Sequence, residues 1–174
     1  GGCLAGGLST GRTVTDACDV RPKVDSPDQR FCREVNPFAG QANIKFNWSY
    51  PLPWWDLAFS GVYQNVSGVD RQGVFVATDR DVTRGGPLTL GRSLAAVQVL
   101  ERFTQREDRL TQLDLRVSKA VRIHRVRVRG NFDVYNVTNS NSVLNVTSSI
   151  GPTWLTPLNI MAGRLAKFSA QFDF

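Results

Sequence analysis

A serine motif and a single histidine are the residues that most resemble catalytic groups in this chain. Gly7-Leu8-Ser9-Thr10-Gly11 matches the G-x-S-x-G pattern, in which a serine nucleophile projects from a sharp turn between a strand and a helix. The residues that follow are poor helix formers, and the only histidine, His124, is predicted to lie in a short turn between two strands. We therefore predict no catalytic residues and expect that the chain is not an enzyme.

The three cysteines offer a second kind of chemistry. Cys18 and Cys32 flank a segment rich in proline and charge, and an oxidising compartment would allow them to pair. Closing a loop of about 15 residues would contribute about 3 kcal/mol in the chain-entropy model. Three independent thiols, with Cys3 as the third, are the alternative. The cysteines lack C-x-x-C spacing and there is one histidine, so we predict no metal site and no cofactor.

The charge of the chain is positive but not clustered. Its 21 Lys and Arg residues against 15 Asp and Glu residues give a net charge of +6. Basic residues alternate with valine in Arg125-Val126-Arg127-Val128-Arg129, so on a strand they would share one face. Aromatic residues do not interleave with the basic ones as stacking platforms for bases would. We predict no nucleic-acid partner.

Composition and hydropathy favour strands. The 174 residues include 15 Gly and 8 Pro, with 41% apolar residues, which predicts an all-β fold. No apolar stretch approaches the roughly 18 residues of a membrane-spanning helix, whereas a spanning strand needs only about 9–11 alternating residues. The chain starts at Gly1 without a methionine or an export signal, so we expect it to be part of a longer protein.

Period-2 alternation predicts six strands, the first of them weak. The segments run from Gly1 to Gly11, Ile44 to Tyr50, Trp55 to Gln64, Gln112 to Ser118, Arg125 to Val137, and Ile160 to Phe174. The connections between them are alternately long (12–39, 67–108 and 139–159) and short (51–53 and 122–124), as at the two rims of a membrane barrel. A soluble β-sandwich also alternates, but its strands and loops are usually shorter.

Several segments resemble one known family in the expected order. They are Ser9-Thr10-Gly11-Arg12-Thr13-Val14-Thr15-Asp16 before Cys18, Tyr50-Pro51-Leu52-Pro53-Trp54, Gln112-Leu113-Asp114-Leu115-Arg116-Val117-Ser118-Lys119, Asn131-Phe132-Asp133-Val134-Tyr135-Asn136, and Trp154-Leu155-Thr156-Pro157 leading to Gly163-Arg164 and a terminal Phe. Together they resemble the C-terminal strands of TonB-dependent outer-membrane receptors of Gram-negative bacteria with an Oar-like barrel. The resemblance spans nearly the whole chain.

This resemblance implies a fold, a location and a function. The fold would be an antiparallel up-and-down transmembrane β-barrel of about 22 strands, of which residues 1–174 form the C-terminal part. The function would be energised uptake of a large or scarce extracellular ligand across the outer membrane, with the plug domain and the TonB-contacting region lying in N-terminal sequence. The long connections would be extracellular, and a Cys18–Cys32 disulfide fits the family pattern there.

The resemblance also implies how the strand faces and the last strand are used. Lys167, Ser169, Phe172 and Phe174 resemble the signal by which the barrel-assembly machinery recognises the closing strand. Charged residues of one parity would face the lumen: Lys45, Asp56, Asp114, Arg116, Arg127, Arg129, Asp133 and Lys167. Apolar residues of the other parity would face outer-membrane lipid: Phe46, Trp48, Leu57, Phe59, Leu113, Leu115, Val126, Val128, Phe132, Phe168 and Phe172.

Two basic residues depart from this division, and two other functions fit the pattern. Lys119 and Arg164 have lipid-facing parity, and we expect both near strand ends. Val126, Val128, Phe132, Phe168 and Phe172 should be exposed. The alternatives are a passive porin or adhesin barrel and a soluble secreted β-sandwich binding module. Loop aromatics are candidates for contact with the ligand: Phe31, Phe38, Phe75, Phe103 and Trp154.

Overall fold

The chain builds one large antiparallel sheet from strands that are far apart in sequence. A computed structural model describes residues 1–23, 30–78, 81 and 94–174, and within these ranges the fold is all-β. The six-stranded sheet has the order β1-β4-β5-β8-β9-β12. Its strands are β1 Cys3–Ser9, β4 Asn43–Pro51, β5 Leu57–Val66, β8 Leu110–Ile123, β9 Val126–Tyr135 and β12 Leu165–Asp173. They are the six strands that alternation predicts, and each pairs antiparallel with its neighbours.

The long connections contain secondary structure that the sequence pattern did not predict. Six shorter strands pair two by two: β2 Thr13–Asp16 with β3 Arg33–Asn36, β6 Gly73–Thr78 with β7 Leu94–Leu100, and β10 Val143–Val146 with β11 Pro157–Ile160. A single helical turn, α1, covers Phe38–Gln41, and a 3-10 turn covers Arg21–Lys23. These strands are mostly too short for period-2 alternation to show. No helix among the described residues is long or apolar enough to cross a membrane.

Several predicted strand limits are wrong. Ile160 belongs to β11, where it pairs with Val143, and β12 starts only at Leu165. Ala162, which the pattern places in the last strand, lies between these two strands. At the other end of the sheet β8 continues to Ile123, so the turn to β9 is reduced to His124 and Arg125. Apolar and polar residues continue to alternate across the break between β11 and β12. The alternation therefore does not mark where one strand ends and the next begins.

The turn between β4 and β5 is longer than the sequence indicates. Trp55, predicted as a strand residue, lies in the connection 52–56 with φ 61°, and Asp56 follows with φ 51°. Two successive residues in the left-handed region reverse the chain with a twist that matches that of the flanking strands. Right-handed conformations at these two positions would splay the strands apart. In the β8–β9 hairpin His124 has φ 54° for the same reason.

The strand register separates the side chains into two faces. One row across the sheet joins Phe59, Val117, Phe132 and Phe168, and the next row joins Ser60, Arg116, Asp133 and Lys167. Successive residues of a strand point to opposite faces, so this register gathers apolar side chains on one side and polar ones on the other. We call these the apolar face and the polar face.

Glycines adjoin the aromatic residues of β4 on the apolar face. Gly6 lies beside Phe46, and Gly61 lies beside Trp48. A Cβ atom at either glycine would clash with the neighbouring aromatic ring. The rings therefore lie across the glycines, and the missing side chains leave the space that the rings fill.

The buried apolar residues of the described chain are outside the six-stranded sheet. Ala77, Ala95, Val146 and Met161 are buried, and all four belong to the long connections 67–109 and 136–164. Within the described ranges no large side chain is fully buried. The sheet itself does not close there: β1 and β12 each have one strand neighbour and one open edge.

Candidate functional site

The apolar face is mostly uncovered. Phe168 is 80% exposed, Leu4 73% and Phe172 57%, and Phe132 is also exposed. Ten large apolar or aromatic side chains of this face are exposed: Leu4, Leu8, Phe46, Tyr50, Val117, Val121, Ile123, Phe132, Phe168 and Phe172. A second sheet packed against them would have buried them, and none is present among the described residues.

Not all the residues predicted to be exposed are so. Val126 and Val128 are half-buried. Val128 lies between Val121 of β8 and Phe172 of β12, so side chains on both adjacent strands cover part of it. The remaining residues predicted to face lipid share the apolar face by register, and Trp48 is half-buried across Gly61.

An ion pair occupies the centre of the polar face. The guanidinium of Arg116 donates from Nε to Oδ1 of Asp133, directly across the β8–β9 pairing. Asp133 is 2% exposed, although it lies on the polar face of an open sheet. Lys167 of β12 is its partner in the register on the other side. The buried carboxylate is thus flanked by a cation on each neighbouring strand.

Hydrogen bonds between neutral and charged side chains extend this network on both sides of the ion pair. Gln64 donates to Gln112 (2.7 Å), which in turn donates to Asp114 (2.9 Å). Nearer the short turns, Ser118 donates to Asn131 (2.8 Å), which donates to Ser169 (3.4 Å). These bonds link β5, β8, β9 and β12, so the polar face braces the sheet across four strands.

The short-turn end of the polar face is rich in arginine. Arg127 lies opposite Arg122 in the register, with Arg129 one pleat further along β9. Within the described residues these three make no salt bridge to a carboxylate. A depression of about 480 Å³ extends from Arg127 and Arg129 to Asp56 and the short β4–β5 turn. Lys45 lies at the opposite, long-connection end of this face, in register with Gln64.

Aromatic residues mark the β4–β5 turn. Trp54 and Trp55 are 67% and 79% exposed, and Tyr50 at the end of β4 is 52% exposed. Leu52 and Leu57 line a small depression with the two tryptophans. The sequence places an aromatic group at this rim, and the structure brings the three rings to one end of the sheet.

Charged residues hold the two ends of the second long connection, 67–109, together. Arg71 binds Glu107 through two hydrogen bonds, Nε to Oε1 at 2.7 Å and Nη2 to Oε2 at 3.3 Å. The hydrogen bonds from Arg71 to Glu107 raise the pKa of the arginine above its ordinary value. Asp70 accepts a hydrogen bond from the backbone N–H of Phe103 at 2.7 Å, which holds Phe103 at φ 66°.

Two further arginines connect these residues to the first long connection. Arg106 donates to Asn36 at 2.8 Å, and its guanidinium lies 5.7 Å from the ring centroid of Phe103. Arg102 lies 3.8 Å from Glu34, 3.7 Å from Asp70 and 4.8 Å from the same ring. We call these residues the connection cluster: Glu34, Asn36, Asp70, Arg71, Arg102, Phe103, Arg106 and Glu107.

Sequence reasoning missed most of this cluster. Only Phe103 was singled out, as an aromatic residue that could contact a ligand, and the structure instead places it between Arg102 and Arg106. The cluster joins residues as far as 70 positions apart. No local spacing indicates such contacts, although the run of charges from 101 to 109 is visible in the sequence.

The other loop aromatics and two of the three cysteines also belong to the long connections. Cys18 and Cys32 form a disulfide that closes the end of the β2–β3 hairpin. Trp154 donates to the backbone carbonyl of Gln72 at 2.9 Å, and Phe75 lies in β6. Phe38 is exposed in α1, and Phe31 lies beside the guanidinium of Arg30.

The residues that suggested catalysis are not brought together. Ser9 ends β1 at the long-connection end of the sheet, whereas His124 lies in the short turn at the opposite end. Cys3 is a free, exposed thiol in β1. The described part of the chain has no group of three or more His, Cys, Asp or Glu residues placed to hold a metal ion.

The residues predicted to form the assembly signal lie on an edge strand. Lys167 and Ser169 occupy the polar face of β12, and Phe172 lies on the apolar face. Phe174, just beyond the strand, is 99% exposed.

Comparison with protein-family models, with curated proteins and with solved structures gives no significant match.

Proposed function

We propose that this chain is the C-terminal part of an outer-membrane β-barrel of the TonB-dependent receptor type. In this proposal the apolar face contacts lipid and the polar face lines the lumen. The barrel serves the energised uptake of a large or scarce extracellular ligand. The plug and the TonB-contacting segment belong to sequence N-terminal to these residues.

The exposed apolar face is the observation that carries the proposal. Fully burying one large apolar side chain is worth about 1.5–3 kcal/mol. The ten exposed side chains of the face are each about 40–80% exposed, so leaving them in water forfeits on the order of 10 kcal/mol. That is comparable with the whole folding stability of an ordinary domain, about 5–15 kcal/mol. Hydrocarbon removes this cost without a second sheet.

The polar face supports the same assignment. Oδ1 of buried Asp133 accepts from Arg116, and Ser118 and Asn131 are hydrogen-bonded beside it, so polar contacts cross the sheet on this face, although Oδ2 of Asp133 has no hydrogen-bond partner. A water-filled or plugged lumen is polar in outer-membrane barrels, and the outward face is apolar. An apolar face opposite a polar face is what the wall of such a barrel requires.

The open edges and the unequal connections add to this support. Backbone N–H and C=O groups along β1 and β12 lack a strand partner on one side, and lipid tolerates no such edge. Further strands must therefore continue the sheet on both sides if it lies in a bilayer. The two short connections, 52–56 and 124–125, share one rim, and the three long ones share the other. The exposed Trp54 and Trp55 at the short rim are suited to the membrane interface.

The experiment that tests the proposal compares two adjacent positions of β12. In the full-length protein carrying Cys3→Ser, single cysteines are introduced as Phe168→Cys and Lys167→Cys. In bilayers, a nitroxide at 168 should be relaxed by oxygen and one at 167 by a water-soluble nickel chelate. If position 168 responds to the water-soluble reagent as strongly as 167 does, the apolar face is in water and the soluble-module alternative is supported.

A conductance measurement separates the receptor from the porin or adhesin alternative. The full-length protein in a planar bilayer should conduct little current, because a plug fills the lumen of a receptor. A large open conductance would instead support a passive pore.

A further inference from the structure

One charged residue, Lys119, lies on the apolar face, and it lies farther from the end of its strand than the sequence predicts. Lys119 was predicted near a strand end, but β8 continues through Ile123, so four residues separate it from the end of the strand. Register with Leu57 places Lys119 on the apolar face. It is the only charged strand residue of that face among the described residues.

The surface beside Lys119 is a groove. Its neighbour in β9 is Gly130, and the next residue in the same row is Ala170 of β12. The rows on either side carry larger side chains. Phe132 and Phe168, with ring centroids 4.6 Å apart, form the wall of the depression, and Val128 and Phe172 follow in the next row of the register without lining it. The depression has a volume of about 540 Å³.

The dimensions of the groove fit one hydrocarbon chain. Along a strand, the side chains of one face follow each other every two residues, or about 6.8 Å. A row with small or no side chains therefore leaves a slot about as wide as one hydrocarbon chain. Gly130 and Ala170 lie on adjacent strands, and the slot extends across β9 and β12 for about 10 Å. One end opens at the edge of β12, and Lys119 stands at the other.

A charge at this place needs a counter-charge. An arginine or lysine on the lipid-facing side costs about 2–4 kcal/mol at the bilayer midplane and less near the interface. From Lys119 to Ile123 is about 14 Å along the strand, or about 10 Å of depth at a tilt of 45°. The flexible four-carbon stem lets the ammonium extend toward the interface, where lipid phosphates lie.

We infer that Lys119 and the groove over Gly130 and Ala170 form a binding site for one phosphate-bearing membrane lipid. The phosphate binds the ammonium of Lys119, and an acyl chain lies over Gly130 and Ala170 against the wall formed by Phe132 and Phe168. The inference rests on the proposed function, since it requires the apolar face to be in lipid.

Native mass spectrometry of the full-length protein in non-ionic detergent tests the site. The probes are phosphatidylglycerol, phosphatidylethanolamine and a diacylglycerol with the same acyl chains. We expect the two phospholipids to be retained and the diacylglycerol to be retained about tenfold less, because a hydrogen bond to a charged group is lost. Equal retention of all three would overturn the role of the phosphate.

Matched variants locate the site. Lys119→Met should reduce phospholipid retention about tenfold, whereas Lys45→Met, on the polar face, should leave it unchanged. Gly130→Leu should fill the groove and also reduce retention. A Cβ at Gly130 meets no atom within 4 Å, so this variant has room to fold, which circular dichroism checks.

A second size increase on the same face is the control for the groove. Ala166→Leu enlarges the apolar face outside the slot, where Ala166 pairs with Val134, and should retain phospholipid as the parent does. If Lys119→Met and Gly130→Leu both retain phospholipid at the parental level, the site is wrong. The proposed function would still stand on the labelling of position 168, so the two failures are distinguishable.

Discussion

The six-stranded sheet and the long connections distribute their apolar residues in different ways. The connections bury a small set of apolar side chains, Ala77, Ala95, Val146 and Met161, and use charged residues to join segments. The sheet exposes Phe168 and its neighbours, and its most buried charged residue is Asp133. The buried apolar residues of the described chain thus lie in the connections, which also bury Glu34, whereas the sheet leaves the large apolar side chains of one face exposed.

If the apolar face lies in lipid as proposed, this difference suits the two regions to two surroundings. The ion pairs and hydrogen bonds of the connection cluster join 10–42 with 67–109 and need no lipid. The apolar face gains its stability only if hydrocarbon or another apolar surface covers it. Substitutions in the two regions should therefore respond differently to the presence of a bilayer.

The largest expected effect is on the apolar face. Phe168→Arg should lower the free energy of unfolding from lipid vesicles by about 2–4 kcal/mol, because it moves a charge into hydrocarbon. Denaturant unfolding of the full-length protein in vesicles measures it, with Ser169→Arg on the polar face as the control. A substitution on a water-exposed surface usually changes the free energy of unfolding by no more than about 0.5 kcal/mol. A change that small for Phe168→Arg would mean that the apolar face is not in hydrocarbon and that the two regions do not differ in this respect.

The disulfide should matter only to the connections. Replacing Cys18 and Cys32 together with Ala should cost about 3 kcal/mol locally, because the unfolded segment between them regains its freedom. Hydrogen exchange should become faster in β2 and β3 and stay unchanged in β8 and β9. Cys3→Ser serves as the control. Faster exchange throughout the six-stranded sheet would show that the two regions are energetically one unit.

The ion pair of the polar face should show an asymmetry. Asp133→Ala should cost about 2 kcal/mol, below the usual value for a buried pair, since the Arg116 side chain left behind is 48% exposed and can be solvated. Arg116→Ala should cost at least about 1 kcal/mol more, because it leaves a buried carboxylate with Lys167 alone. Equal costs in vesicle unfolding would mean that water already reaches Asp133.

The smallest effect concerns a carboxylate in the connections. Asp81 accepts hydrogen bonds from the backbone N–H (2.7 Å) and hydroxyl (2.8 Å) of Thr78, which lower its pKa below the ordinary value. Its contribution to stability is present above the pKa of the unfolded chain and is lost as pH falls through the lower folded pKa. An NMR titration should show a lowered midpoint that Thr78→Val raises only part of the way to the ordinary value, because the backbone N–H at position 78 still donates to Asp81. If Asp81 instead titrates at the ordinary value, the hydrogen bonds from Thr78 are not formed in solution.

Period-2 alternation predicted the six strands of the sheet and which residues of a strand share a face, except for Trp55 and Asp56, which lie in the β4–β5 turn. It succeeded because a residue's face depends only on its parity within its own strand. The strand limits were less well predicted, since Ile160 and Ala162 continue the parity of β12 across a break in the chain. The connection cluster was not predicted, because Asn36 and Arg106 meet only after both connections fold over the same end of the sheet.

By itself, the sequence determined an all-β fold with two chemically different faces and unequal connections, because these follow from residue types and local spacing. Only the tertiary structure decided that Asp133 is buried beside Arg116, and that Lys119 stands at the end of a groove over Gly130 and Ala170. Those features depend on the register between strands far apart in the chain. Register is set by the summed packing of whole strands, which no short segment contains.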